Sequence, residues 1–167
     1  GTLKPLQYGG QQEQGLRPGT ENLMGIIAFG EAVKHAVANM SRHYEHVAKL
    51  RDIMIKRFSE EAHVLFGSTD SHSPYIVNVS FEGVKGEVLL HSLEMKGIYV
   101  ATGSACSSKK KAYSHVLKAL GYKESRMEGA IRVSLSHMLT EDEVAFATNE
   151  MIKTASELRQ VMGKKKR

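Results

Sequence analysis

The sequence contains almost no cysteine and no long apolar run. Its 167 residues include a single cysteine, Cys106, which excludes an internal disulfide framework and favours a reducing compartment. No apolar run approaches the roughly 20 residues that a membrane-spanning helix requires, and no charged-then-apolar leader opens the chain. We therefore expect a cytoplasmic protein with no membrane partner.

The overall composition is that of an ordinary globular chain. Hydrophobic residues make up 41% and charged residues 25%, which is enough to bury a core, and the length suits one domain or one domain with a piece of another. The net charge is +5, to which residues 164–167 contribute four positive charges. No basic face interleaved with aromatic residues accompanies this tail, so we expect no nucleic-acid partner.

Apolar spacing predicts helices that alternate with short strands. Residues 2–7 are predicted as a short strand, and the glycine-rich stretch 8–20 as a loop. Ser41 is predicted to cap a second helix after a first helix that starts at Leu23. Further helices are predicted over 85–95, 113–120 and 141–161, the last opened by Thr140 and Glu143, and strands over 64–66, 75–81, 98–101 and 130–136. The pattern predicts an α/β fold, an α+β sandwich in which helices cover a small mixed sheet.

Cys106 is the first candidate for chemistry. It lies in a run rich in glycine, serine and alanine, residues 101–108, and three lysines follow at 109–111. Flexible backbone displays a reacting sulfur, and nearby positive charge favours its thiolate form. The alternative is a half-buried cysteine that only fills space at the end of a strand.

Three other groups of polar residues are candidates for binding. Arg17 and Thr20 stand before a helix, where they could grip phosphate or carboxylate, although Thr20 could also simply cap that helix. Arg132 in mid-strand needs a partner, either a salt bridge at a sheet edge or a carboxylate held as a bidentate fork. His43 and His46 lack an evident third metal ligand, so we expect a solvated helix face and no metal site.

Three motifs together resemble the C-terminal part of a cysteine desulfurase. They lie at residues 9–22, at 102–107 and at 131–135 followed by 140–143, in the order and spacing of the long-loop group that serves iron–sulfur cluster assembly, within the class V aminotransferase-like enzymes. The resemblance implies the small C-terminal domain of a fold-type I pyridoxal-phosphate-dependent transferase over residues 31–163. Residues 1–30 would then be the trailing segment of the large cofactor domain, and 164–167 a basic, disordered tail.

The same resemblance implies a chemistry and a set of site residues. The complete enzyme would be a homodimer that uses pyridoxal 5'-phosphate as an electron sink to convert L-cysteine to L-alanine. Cys106 would be the nucleophile that keeps the sulfur as a persulfide, Arg132 would bind the substrate carboxylate, and Thr20 would reach the cofactor phosphate of the neighbouring subunit. An iron–sulfur scaffold or another acceptor protein would then take the sulfur.

The sequence also departs from the family pattern. The Ser-x-His-Lys stretch that carries the cofactor lysine is absent, so we expect the chain alone to be inactive. Smaller departures are Gln11, Gln14 and the pair at 136–137, where glycine, arginine and Gly-Arg are common. The alternative function is a non-catalytic sulfur-relay or scaffold-docking module with the same fold.

Overall fold

The computed structural model describes residues 3–67, 73–103 and 113–164. The chain divides into two units, Gly1–Ser41 and Arg42–Arg167. The helices in the described ranges are α1 (Leu23–Ser59), α2 (Gly86–Glu94), α3 (His115–Ala119), α4 (Glu124–Glu128) and α5 (Glu141–Lys164). The strands are β1 (Val64–Phe66), β2 (Ile76–Phe81) and β3 (Ala130–Ser134). No described helix is long and apolar enough to cross a bilayer.

The first unit consists of the loop and the first part of α1. The short strand predicted at its start is wrong, because residues 3–7 have no strand beside them and leave Leu3 and Leu6 exposed. A strand needs a neighbour to take up its backbone hydrogen bonds. The loop prediction is confirmed, with one 3-10 turn at Glu13–Gly15.

The long helix α1 joins two helices that the sequence predicts separately. Ser41 lies inside α1 and does not start a helix. The residues before and after it are helical, so its side chain has no free helix end to cap. At the true start, the amide N–H of Gly25 donates to Asn22 Oδ1 at 3.1 Å. Asn22 is therefore the N-cap, and the prediction that Thr20 caps this helix is wrong.

The sheet has the order β1-β2-β3. β2 pairs antiparallel with β1 and with β3, and Val79 lies opposite both Phe66 and Ile131. The predicted α/β fold class is confirmed, but these pairings make the described sheet antiparallel, whereas a mixed sheet was expected. Residues 98–101 form no full strand and meet β3 through a single bridge between Ala101 and Arg132.

The main core lies against one face of this sheet. Most of its buried members come from the second half of α1, from α2, from α5 and from alternate positions of the strands: Val47, Leu50, Met54, Phe58, Val64, Val77, Val79, Phe81, Leu89, Leu93, Ile131, Val133, Val144, Met151 and Ala155. Val84 and Leu135, which lie outside these elements, complete the set. A smaller cluster of Leu117, Met127 and Ala130 joins α3 and α4 to β3. Because side chains alternate along a strand, Ala130 faces away from Ile131, so this cluster lies on the opposite face of the sheet.

Capping motifs are present at the start of α5 and at the end of α2. Thr140 and Glu143 form the predicted capping box: the Thr140 N–H donates to Glu143 Oε2 at 2.7 Å, and the Glu143 N–H donates to Thr140 Oγ1 at 3.2 Å. Gly97 ends α2 with φ +75°, and the Ile98 N–H donates to Leu93 O at 3.0 Å, as in a Schellman motif. The short helix α4 was not predicted, because a single turn with one buried side chain, Met127, has no periodicity to recognise.

Candidate functional site

Arg132 lies in the middle of β3 with its side chain on the face opposite the main core. Its neighbours Ile131 and Val133 are buried, whereas Arg132 is exposed. Its guanidinium makes no hydrogen bond and no ion pair with any residue in the described ranges. Within those ranges the salt-bridge interpretation therefore has no support, and a charged fork is left available for a ligand carboxylate.

The backbone of Arg132 holds the segment that leads to Cys106. Ala101 N–H donates to Arg132 O at 3.0 Å, and Arg132 N–H donates to Ala101 O at 2.6 Å. Ile98 and Val100 pack against the main core, so Tyr99 between them points to the Arg132 side, where it is 78% exposed. This segment therefore extends the Arg132 face beyond the edge of β3.

Cys106 itself lies outside the described residues, but its flanks are described. A Cβ atom built on Gly103 would lie 3.1 Å from the Cβ atom of Ser114, so the two ends of the connection over 104–112 are side by side. Cys106 is five positions after Ala101 in the sequence, which limits the distance between their Cα atoms to about 18 Å. The covalent chain thus limits how far Cys106 can lie from Ala101, whose backbone pairs with Arg132.

The described residues cover only half of the face around Arg132. Helices α3 and α4 pack over its Ala130 end, while Arg132, Ser134 and Ile76 are exposed at the other end. Asn78 lies directly opposite Arg132 in the register, and its Nδ2 donates to Ile131 O at 3.4 Å. The open half combines one positive charge, two small polar groups and apolar rims at Ile76 and Tyr99, an arrangement that suits a small carboxylate ligand.

In the loop of the first unit, Arg17 and Thr20 differ in whether their side chains are free to bind a ligand. Arg17 Nη1 donates to Pro18 O at 3.3 Å, Gly19 O at 3.0 Å and Thr20 O at 3.4 Å, and Nη2 lies 3.6 Å from Glu13 Oε1. Arg17 therefore stabilises the loop, and the expectation that it grips an anion is not supported by these contacts. Thr20 is exposed, and its hydroxyl contacts no described residue by a hydrogen bond.

His43 and His46 of α1 contact the turn before α5. The His43 ring stacks on the His137 ring with centroids 3.7 Å apart and planes 8° apart, and His46 Nε2 lies 2.9 Å from Leu139 O. Both side chains are half-buried, so the interpretation as a solvated face is wrong. No group of three possible metal ligands occurs among the described residues. The spacing of the histidines gave no signal of these contacts, because they join residues that are far apart in the sequence.

The family pattern "Aminotransferase class-V" matches residues 2–146. The chain belongs to the class V aminotransferase family. Its similarity to the cysteine desulfurase IscS of Dictyoglomus turgidum is 34% identity over 161 residues, which cover 95% of this chain and 41% of the relative. IscS of Methanosarcina thermophila is 40% identical over 144 residues, which cover 85% of this chain and 35% of the relative.

Solved structures of NifS-like proteins are also similar to this chain. A NifS-like protein superposes with a TM-score of 0.77 at 32% identity, covering 93% of this chain and 40% of that chain. A NifS-like protein from Rickettsia africae gives a TM-score of 0.75 at 27% identity, covering 93% and 41%. The family predicted from the three motifs is confirmed, and the chain spans about two fifths of the length of these relatives.

Proposed function

We propose that this chain is the C-terminal part of a pyridoxal-phosphate-dependent cysteine desulfurase. The observation that carries the proposal is the exposed Arg132 guanidinium, which has no partner within the described ranges, while the backbone of Arg132 is hydrogen-bonded to the segment that leads to Cys106. A carboxylate fork, with a thiol a few residues further along the segment that pairs with it, suits a reaction on an amino acid's sulfur. The similarity to IscS cysteine desulfurases supports the same reaction.

The residues present fit one contact to the cofactor. The Thr20 hydroxyl has no hydrogen-bond partner within the described residues and follows a glycine-rich loop, so it can bind an oxygen of the cofactor phosphate. Pyridoxal phosphate would supply an electron sink for the substrate's α-carbon. The sequence contains no Ser-x-His-Lys stretch, so we propose that the cofactor lysine lies in the part of the relatives that this chain does not match.

In this proposal Arg132 binds the substrate and Cys106 accepts its sulfur. Arg132 holds the carboxylate of L-cysteine by two parallel hydrogen bonds, which fixes the orientation of the side-chain sulfur. The Cys106 thiolate attacks that sulfur, and a sulfur–sulfur bond forms as the substrate's carbon–sulfur bond breaks. The electron pair of the broken bond stays with the substrate, which takes up a proton and leaves as L-alanine, and Cys106 keeps the sulfur as a persulfide.

The proposal extends to the organisation of the whole protein. Residues 1–30 would belong to the large cofactor domain, residues 31–163 to the small domain and residues 164–167 to a basic tail. The complete protein would be a cytoplasmic homodimer in which Thr20 serves the neighbouring subunit's cofactor. Its persulfide would pass to an iron–sulfur scaffold or another acceptor protein.

The experiment that tests this function uses the chain produced together with the unmatched part of the Dictyoglomus turgidum relative. With L-cysteine and pyridoxal phosphate, we expect release of L-alanine and a persulfide on Cys106, detected by mass spectrometry. Cys106→Ala should abolish the persulfide and keep cofactor absorption, whereas Ser107→Ala should keep both. Arg132→Lys should lower kcat/KM by about tenfold or more, because a charged bidentate contact is lost. A persulfide that forms equally well in Cys106→Ala would refute the assignment.

A second experiment tests the reactivity of the thiol in the chain alone. We expect iodoacetamide to label Cys106 faster at neutral pH than it labels a model thiol, because residues 109–111 are lysines that favour the thiolate. Labelling is followed by intact-mass spectrometry, with Cys106→Ser as the blank. A rate at or below that of the model thiol would favour the space-filling interpretation instead.

A further inference from the structure

The first part of α1, residues 23–40, exposes an unusual amount of apolar side chain. Met24 is 84% exposed, Phe29 72% and Val37 66%. Five more large hydrophobic side chains in the same stretch are at least 43% exposed: Leu23, Ile26, Ile27, Val33 and Met40. Single exposed apolar residues are common on protein surfaces, but a contiguous group of this size marks an interaction surface.

These side chains follow one broad side of the helix. With about 100° between successive residues, all of them except Met24 fall within a sector of about 160°, which also contains Gly30. A Cβ atom built on Gly30 would meet nothing within 4 Å, so this position offers room for a closely packed neighbour. We call this sector, from Leu23 to Met40, the apolar face of α1.

The other side of this stretch is not a normal polar surface either. It carries Gly25, Ala28, Ala32 and Ala36, and all four are exposed. Only four of the eighteen residues from 23 to 40 are polar: Glu31, Lys34, His35 and Asn39. A helix that is apolar on most of its circumference is typical of the interior of a larger protein.

We propose that the apolar face of α1 is the docking surface for the remainder of the cofactor-binding part of the class V fold, supplied by polypeptide that this chain does not contain. Two findings favour this occupant. The matched relatives are more than twice as long as the region they share with this chain, which covers 41% of the first and 35% of the second. A second copy of this chain, paired helix to helix, would cover one stripe of α1 and leave the alanine side in water.

This inference rests on the proposed function, because it names the partner that the desulfurase reaction would need. It also fixes which part of the chain makes the contact. Arg132, which the proposed function places at the substrate, belongs to the second unit, whereas every residue of the apolar face belongs to the first. The docking surface and the substrate-binding residue can therefore be altered independently.

The test measures complex formation between this chain and the unmatched part of the Dictyoglomus turgidum relative. The two are produced together, and the molar mass of the product is measured by size-exclusion chromatography with light scattering. The double variant Ile26→Lys and Val33→Lys adds two positive charges to the apolar face. Lysine has at least the helix propensity of isoleucine and valine, so helicity should persist by circular dichroism. Glu45→Lys is the matched control, since it changes the charge by the same amount at an exposed position of the same helix.

We expect a one-to-one complex for the wild-type chain and for Glu45→Lys, and binding at least about tenfold weaker for the double variant. The proposal is overturned if no complex forms, if the double variant binds as well as wild type, or if the chain instead forms a homodimer that the double variant disrupts. The measured mass does not depend on cofactor or on L-cysteine. A complex that forms but releases no L-alanine would therefore count against the proposed function and leave the docking surface intact.

Discussion

The two halves of α1 carry similar numbers of large hydrophobic side chains in opposite surroundings. In residues 23–40 every large hydrophobic side chain is exposed, whereas Val47, Leu50, Met54 and Phe58 in the second half are at most 1% exposed. Both halves are helical, and in both the large hydrophobic residues recur at helical spacing. The comparison shows that spacing determines the helix and its apolar side, while burial depends on which elements the rest of the chain provides.

The second half of α1 is buried because the chain supplies neighbours for it. The Phe58 ring meets the Phe81 ring of β2 edge to face, with centroids 5.8 Å apart. Polar contacts surround this packing: Arg57 Nε donates to Asn149 Oδ1 at 2.9 Å, and Lys49 Nζ lies 2.6 Å from Glu141 Oε1 on α5. The first half has apolar residues of the same kinds, yet none of its large hydrophobic side chains is covered.

The largest expected effect comes from truncating one leucine in each half. Leu50→Ala should lower the free energy of unfolding by about 2–5 kcal/mol, because it leaves a cavity in the main core. Leu23→Ala should change it by less than about 0.5 kcal/mol, because Leu23 is 64% exposed. Urea denaturation followed by circular dichroism measures both values. Equal losses would mean that the first half is also packed in this chain.

A smaller effect is expected from adding one methyl group to a glycine in each unit. A Cβ atom at Gly129 would lie 2.2 Å from the Phe81 carbonyl oxygen, so Gly129→Ala should destabilise the second unit by about 1–3 kcal/mol. Gly30→Ala adds its methyl group to open space in the first unit and should stabilise the helix by about 0.5–1 kcal/mol. Thermal unfolding of the two variants should therefore shift in opposite directions. A shift of the same sign would show that Gly30 is also crowded.

The smallest expected effect is a difference in how the caps of α1 and α5 contribute to stability as the pH changes. Hydrogen bonds from the backbone and the hydroxyl of Thr140 lower the pKa of Glu143 below its ordinary value of 4.5, whereas the Asn22 cap of α1 is uncharged. A lowered pKa adds stability that is complete above about pH 4.5 and is lost as the pH falls through the folded-state pKa. Glu143→Ala should therefore cost more stability at pH 7 than at pH 3, while the cost of Asn22→Ala should not follow Glu143's titration. The contrast fails if both variants show the same pH profile in urea denaturation.

Sequence motifs predicted several parts of the candidate site for a clear physical reason. Alternation along residues 130–136 put Arg132 on the face away from Ile131, because a strand turns successive side chains to opposite sides. The capping box at Thr140 followed from residues that are three apart. The prediction that Cys106 lies in a flexible loop falls outside the described residues, where only the flanking Gly103 and Ser114 are seen to lie next to each other.

Other features depended on contacts between distant residues and could not be predicted. Arg17 binds the carbonyls of its own loop, so its availability is decided by backbone geometry that the residue types do not reveal. His43 stacks on His137, which lies on another element. The antiparallel sheet likewise follows from how β1, β2 and β3 are brought together in space.

The sequence by itself determined the helices of α1 and α5, the strand that carries Arg132 and the family to which the chain belongs. Only the tertiary structure decided that one half of α1 is buried and the other exposed, that Asn22 caps it, and that the edge of β3 holds the segment leading to Cys106. The physical reason is that helix and strand patterns arise from interactions between residues a few positions apart. Burial and pairing are set instead by whatever surface the folded chain places opposite each element.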